Sequence, residues 1–139
     1  ILQKLKPMLK EKENNMEDKV YLLGEKENVI DHMKYIDLVI LCSHIEGLPL
    51  VPLEAFSQKI PVIATNIPGT NEEIINGVNG FLVPLKDIKT FSNRINQLYE
   101  DKELFKSLKK GAYRSFSINF TSERYILSHL KLYKKVLKK

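Results

Sequence analysis

Residues 41–65, LCSHIEGLPLVPLEAFSQKIPVIAT, decide how this chain reads. An apolar strand ends at Leu41, a short polar loop carries Glu46, and a turn follows through Gly47 and Pro49. A helix bearing Glu54 comes next, and Pro61 opens a second apolar strand. Strand, helix and strand in that order form a βαβ unit, with the helix N-terminus at the carboxyl edge of a parallel sheet, where open α/β sheets bind their ligands. Two carboxylates flank that N-terminus, with seven residues between them.

The local chemistry follows from backbone rules. Pro49 biases Leu48 away from helical geometry, which leaves Glu46 and Gly47 in the loop above the sheet. Proline is tolerated in a first helical turn, so the helix starts near Pro49 or Leu50, with Pro52 still within that turn. The free N–H groups of Leu50 and Val51 then face the cleft beside Gly47. Together with the helix dipole they suit an anion, most naturally a phosphate. Glu46 and Glu54 can accept hydrogen bonds from paired hydroxyls such as those of sugars and ribose, and the combination describes a sugar nucleotide. A plainer reading makes Glu46 a helix cap and Glu54 a solvated residue, and pattern alone does not choose between the two. The sequence has no DxD pair, no His/Cys cluster at metal spacing and no GxGxxG, so a metal or dinucleotide fingerprint has little support.

Upstream, Leu2, Leu5 and Leu9 fall at helical spacing, residues 20–23 read as a buried strand closed by Gly24, and Val29, Ile30, Met33 and Ile36 share one helical face. Residues 37–41 are the strand that leads into the central stretch. Downstream, residues 61–65 form a strand, and NIPGTNEEIINGVNG is loop with at most one helical turn near residues 71–74. Residues 81–83 are a fourth strand. Asp87 caps a helix with Ile88, Phe91, Ile95 and Leu98 on its buried stripe, and Leu104, Leu108 and Ala112 mark another. Thr121 caps a last, basic helix with Ile126, Leu130, Tyr133 and Leu137 on one face, expected to pack against protein. The alternation predicts an α/β, Rossmann-like parallel sheet with helices on both faces. Such a domain has one or two more strands than are visible here. The first strands are therefore expected before Ile1, in a larger protein, and residues 1–139 are expected to be part of one domain with C-terminal helices over about 87–139.

Composition agrees with an ordinary globular chain: 139 residues, 43% hydrophobic and 28% charged. The lone cysteine, Cys42, cannot form an internal disulfide and is expected to be buried at a strand end, in a reducing, cytoplasmic setting. The longest apolar run, residues 38–42, is too short to cross a bilayer. The net charge of +5 is concentrated beyond residue 102, where only Glu103 and Glu123 oppose the lysines and arginines. That bias suits an anionic membrane surface or nucleic acid, but solvated helix faces explain it more simply. No nucleic-acid partner is expected, and peripheral membrane contact stays open.

Several ordered motifs extend the reading. Glu46 and Glu54 in an E-x7-E spacing, the PVIAT strand, a Gly-x-x-Glu loop at residues 69–72 and the signature NGVNGFLV at 76–83 resemble the donor-binding region of GT-B fold retaining glycosyltransferases of family 4, the glycosyl transferases group 1. VYLLG at 20–24 and DLVILCS at 37–43 extend the match over nearly the whole chain. The resemblance implies the C-terminal half of a GT-B fold that transfers a hexose from a UDP- or GDP-sugar, with retention and without metal or other cofactor. It implies that Glu46 is the catalytic carboxylate and holds hydroxyls of the transferred sugar, while Glu54 accepts the ribose hydroxyls. By the same resemblance the backbone N–H groups of Gly47, Leu48, Leu50 and Val51 receive sugar hydroxyls and diphosphate, and the loop at Gly24 and Lys26 lines the base. Pro49 stands where many members have glycine and offers no N–H, and Glu72 shapes its loop. The acceptor, a glycan, lipid or small molecule, would reach the site through an N-terminal domain outside this chain, and the fragment alone is expected to be inactive. A non-catalytic nucleotide-binding module, or a GT-B relative such as an epimerase or phosphorylase, is the alternative.

Overall fold

A computed structural model describes residues 19–137 apart from Leu22. The expected helix over residues 1–13 lies outside the described residues. The element order is α1 (Val29–Met33), β1 (Val39–Leu41), α2 (Leu50–Ser57), β2 (Val62–Thr65), α3 (Thr70–Glu73), β3 (Gly80–Val83), α4 (Ile88–Glu100), α5 (Lys102–Asn119) and α6 (Ser122–Leu137).

The three strands form one parallel sheet in the order β1-β2-β3. Side-chain alternation sends its two faces into different cores. Val39 and Leu41 of β1, Val62 and Ala64 of β2 and Leu82 of β3 pack with Ala55 and Phe56 of α2 and with Met33. Ile63, Phe81 and Val83 point the other way, onto Leu98 and Phe91 of α4 and Leu108 of α5. Helix α5 serves both: Leu104, Phe105 and Leu108 lie in the second core, while Ala112 and Phe116 reach the first. Helices thus cover both faces of a parallel sheet, as the alternating pattern implied. Gly80 leaves no room for a side chain against β2, since a Cβ there would stand 2.0 Å from the Val62 carbonyl oxygen.

Helix starts follow their caps. The Asp87 carboxylate accepts from the Thr90 N–H at 2.9 Å and opens α4, and Asp101 accepts from the Leu104 N–H at 2.9 Å and opens α5. The Thr121 hydroxyl accepts from the Arg124 N–H at 3.4 Å at the head of α6.

Five expectations need correction. Val20, Tyr21 and Leu23 lie in no strand, and Tyr21 and Leu23 are exposed. A strand needs a hydrogen-bonding neighbour, and β1 is the sheet edge among the described residues. Cys42 is exposed rather than buried, because it follows β1 on that same open edge. Helix α1 ends at Met33, so Ile36 lies outside the helical face expected for it, and of the other three only Met33 is buried. Of the α4 stripe only Leu98 is buried, and Ile88 is exposed: the first turns of that helix flank an open hollow instead of a strand. Helix α6 buries no residue at all, so the packing expected for it is not found among the described residues.

Candidate functional site

The site is built where β1 and β2 end and α2 begins. Residues 42–49 leave β1 and climb over the carboxyl edge of the sheet, and Pro49, buried and extended at φ −70°, ψ 132°, stops the loop and starts α2. A proline there supplies no side-chain cap, and the first turn of α2 contains no acidic residue. The N–H groups of Leu50 and Val51 therefore stand without an intrahelical partner, as do all first-turn donors, and Pro52 has none to offer. Leu48 and Leu50 are more than half exposed, so this turn opens to solvent.

A second loop supports the first. Gly69, at φ 92°, is pressed against it: a Cβ there would lie 2.3 Å from the Gly47 carbonyl oxygen and 3.3 Å from Pro49 Cδ. Only glycine combines that positive φ with so close an approach. Behind it, the Thr70 hydroxyl donates to the Thr65 carbonyl at 2.5 Å and accepts from the Ile67 N–H at 3.2 Å.

The two predicted carboxylates lie on either side of the start of α2 along the chain. Glu46, half-buried on the loop, accepts from the Ser43 hydroxyl through Oε1 at 2.5 Å. Glu54 is half-buried in the second turn of α2, and its carboxylate makes no hydrogen bond or ion pair among the described residues. Gly47, Leu48, Pro49, Leu50 and Val51 run continuously between them. Gly24, at φ 73°, and Lys26 are exposed on the loop before α1, and among the described residues no hydrogen bond ties them to residues 42–49. His44 is exposed.

Two features escaped the sequence reading. Glu73, next to the Glu72 of the Gly-x-x-Glu loop, is 2% exposed, and neither carboxylate oxygen has a hydrogen-bond partner among the described residues. Burial pushes its carboxyl from 4.5 up to about 7, and the Glu72 and Glu46 carboxylates add to the rise. A four-residue helix has too little periodicity to show which of two adjacent glutamates faces inward. The second feature is a hollow of about 560 Å3 beside the site, between Ile40, Cys42 and His44 at the β1 edge and Lys86, Phe91 and Ile95 at the start of α4. It is lined mostly by apolar side chains and contains neither Glu46 nor Glu54. Chemically, the first turn of α2 offers unpaired backbone donors of the kind that suit an anion.

The family described as Glycosyl transferases group 1 matches residues 3–115. The chain is 32% identical over 124 residues to the N-acetyl-alpha-D-glucosaminyl L-malate synthase of Bacillus anthracis, covering 89% of this chain and 32% of that protein. It is 38% identical over 90 residues to the UDP-Gal:alpha-D-GlcNAc-diphosphoundecaprenol alpha-1,3-galactosyltransferase of Escherichia coli, covering 65% of this chain and 23% of that protein. Anabaena HepE, solved in complex with UDP, shares the fold at a TM-score of 0.85 and 24% identity, covering 96% of this chain and 36% of that one. The chain spans a third or less of the length of these two curated relatives.

Proposed function

This chain belongs to the group 1 glycosyl transferases, and on that premise we propose that it forms the nucleotide-sugar-binding part of an enzyme that moves a hexose from a UDP- or GDP-sugar to an acceptor, with retention at the anomeric carbon. The observation that carries the reading is the uncapped, acid-free first turn of α2, open to solvent and set between Glu46 and Glu54. The diphosphate sits at that turn, received by the N–H groups of Gly47, Leu48, Leu50 and Val51. Pro49 contributes shape but no donor. Glu54 takes the ribose hydroxyls, Glu46 takes hydroxyls of the transferred sugar, and the loop of Gly24 and Lys26 borders the base. As the glycosidic bond breaks, negative charge grows on the leaving diphosphate, and fixed backbone dipoles stabilise it there without a metal.

HepE has been solved with UDP and with UDP-glucose, and the Escherichia coli relative is named for a diphosphoundecaprenol acceptor. Both names agree with a nucleotide-sugar donor, and the second also with a lipid-linked acceptor. Among the described residues no helix is long and apolar enough to cross a membrane.

Calorimetric titration of the intact protein with UDP and GDP tests the assignment. Glu54→Ala removes a charged acceptor worth about 1.5–3 kcal/mol and should weaken nucleotide binding about 10- to 100-fold. Unchanged affinity would favour a non-catalytic module that merely keeps the fold.

A further inference from the structure

We infer that Ser43 and Thr65 are positioning residues that hold the Glu46 carboxylate ready for the transferred sugar; the inference rests on the donor-binding reading above. Glu46 lies on a loop, and a glutamate has three rotatable side-chain bonds, so its direction needs a cause. The cause is a relay of hydroxyls. Thr70 donates to the Thr65 carbonyl at 2.5 Å, Thr65 donates to the Ser43 carbonyl at 2.5 Å, and Ser43 donates to Glu46 Oε1 at 2.5 Å. The Leu41 carbonyl stands farther from Thr65 Oγ1, at 3.5 Å, so the single Thr65 proton belongs to Ser43.

The relay is anchored deep and ends shallow. Thr70 and Thr65 are buried, at 0% and 4% exposure, whereas Ser43 and Glu46 are half-buried. Thr65 closes the central strand β2, which is paired on both sides, so the middle strand of the sheet sets the direction of a loop carboxylate. The bond from Ser43 to a carboxylate is of the short, charge-assisted kind. It occupies Oε1 and leaves Oε2 as the acceptor for sugar hydroxyls. Glu54, with no such partner among the described residues, takes its direction from the ligand. Pre-organisation therefore concentrates at the sugar end of the site and not at the ribose end.

The probe is the intact protein with two ligand pairs, UDP against UDP-glucose and GDP against GDP-mannose, titrated calorimetrically. Ser43→Ala should weaken the bound sugar nucleotide about ten-fold while the matching nucleotide changes less than two-fold, and Ser43→Thr, which keeps the hydroxyl, should restore the sugar nucleotide to within about three-fold. Thr65→Val should lower the same ratio in the same direction. Equal losses for nucleotide and sugar nucleotide in Ser43→Ala, or no loss for either while Glu46→Ala is selective for the sugar nucleotide, would overturn the positioning role and leave the donor-binding reading standing. A Glu46→Ala variant without that selectivity, or a wild-type protein that binds neither pair, would instead overturn the donor-binding reading itself and this inference with it.

Discussion

Helices α2 and α6 are both rich in apolar residues, and they meet opposite fates. The eight residues of α2 bury Pro52, Ala55 and Phe56, and Phe56 is 0% exposed against the β1 and β2 side chains. The sixteen residues of α6 bury none, although Tyr125, Ile126, Leu130, Leu132, Tyr133 and Val136 gather on one side and Arg124, Lys131, Lys134 and Lys135 on the other. The difference teaches that apolar periodicity marks the face able to be buried, whereas burial itself needs a surface opposite. Helix α2 has the sheet; among the described residues α6 has no comparable cover. The same contrast explains why the candidate site is sharply built. A helix clamped to a sheet points its N-terminus in one direction, and the loops pinned at Gly69 and Thr65 keep that direction fixed.

Mutations sharpen the contrast in order of expected size. Phe56→Ala should cost the intact protein about 3–5 kcal/mol in a urea unfolding series, because the transfer and cavity terms both apply in a core already close-packed on two sides. A loss below about 1 kcal/mol would remove the distinction between the two helices.

Glu73 provides an intermediate case, a charged side chain placed as deeply as the apolar ones. Its carboxyl is raised from 4.5 to about 7 in the folded state, so folding retains a proton that the unfolded chain releases. Its contribution to stability is therefore fully present below about pH 4.5 and is lost as the pH rises through about 7, a decline on the order of 3 kcal/mol. Glu73→Gln should abolish that decline, which unfolding curves at pH 5 and pH 8 would register. Equal slopes in the two proteins would show that Glu73 is hydrated or paired.

Leu130→Ser is expected to change stability by less than about 0.5 kcal/mol, as for an exposed substitution. A loss above about 2 kcal/mol would mean that the apolar side of α6 is covered in the intact protein.

How much could be read beforehand depended on the range of the interaction. Strand and helix order from residue 37 onward, the Asp87 and Thr121 caps and the start of α2 at Pro49 and Leu50 all follow from neighbours within a few positions, and the structure keeps them. The strand expected at 20–23, the burial of Cys42 and the stripe of α4 each required a partner surface, and each changed when that surface was not opposite them. In the site, Glu46 and Glu54 were legible as residue types at a spacing. The Ser43 bond to Glu46 and the burial of Glu73 were not, since the first depends on a χ rotation and the second on which side of a single helical turn faces the core.

The sequence by itself determined the parallel α/β order, the helix that starts behind Pro49 and the two glutamates on either side of that start, because propensity, capping and proline geometry act locally. Only the tertiary structure decided that Gly69 presses on Gly47, that a chain of hydroxyls anchored at buried Thr70 reaches half-buried Glu46, and that Glu73 is enclosed without a partner among the described residues. Those outcomes depend on ångström-scale distances between segments separated along the chain, which are fixed only when the sheet brings its strands side by side.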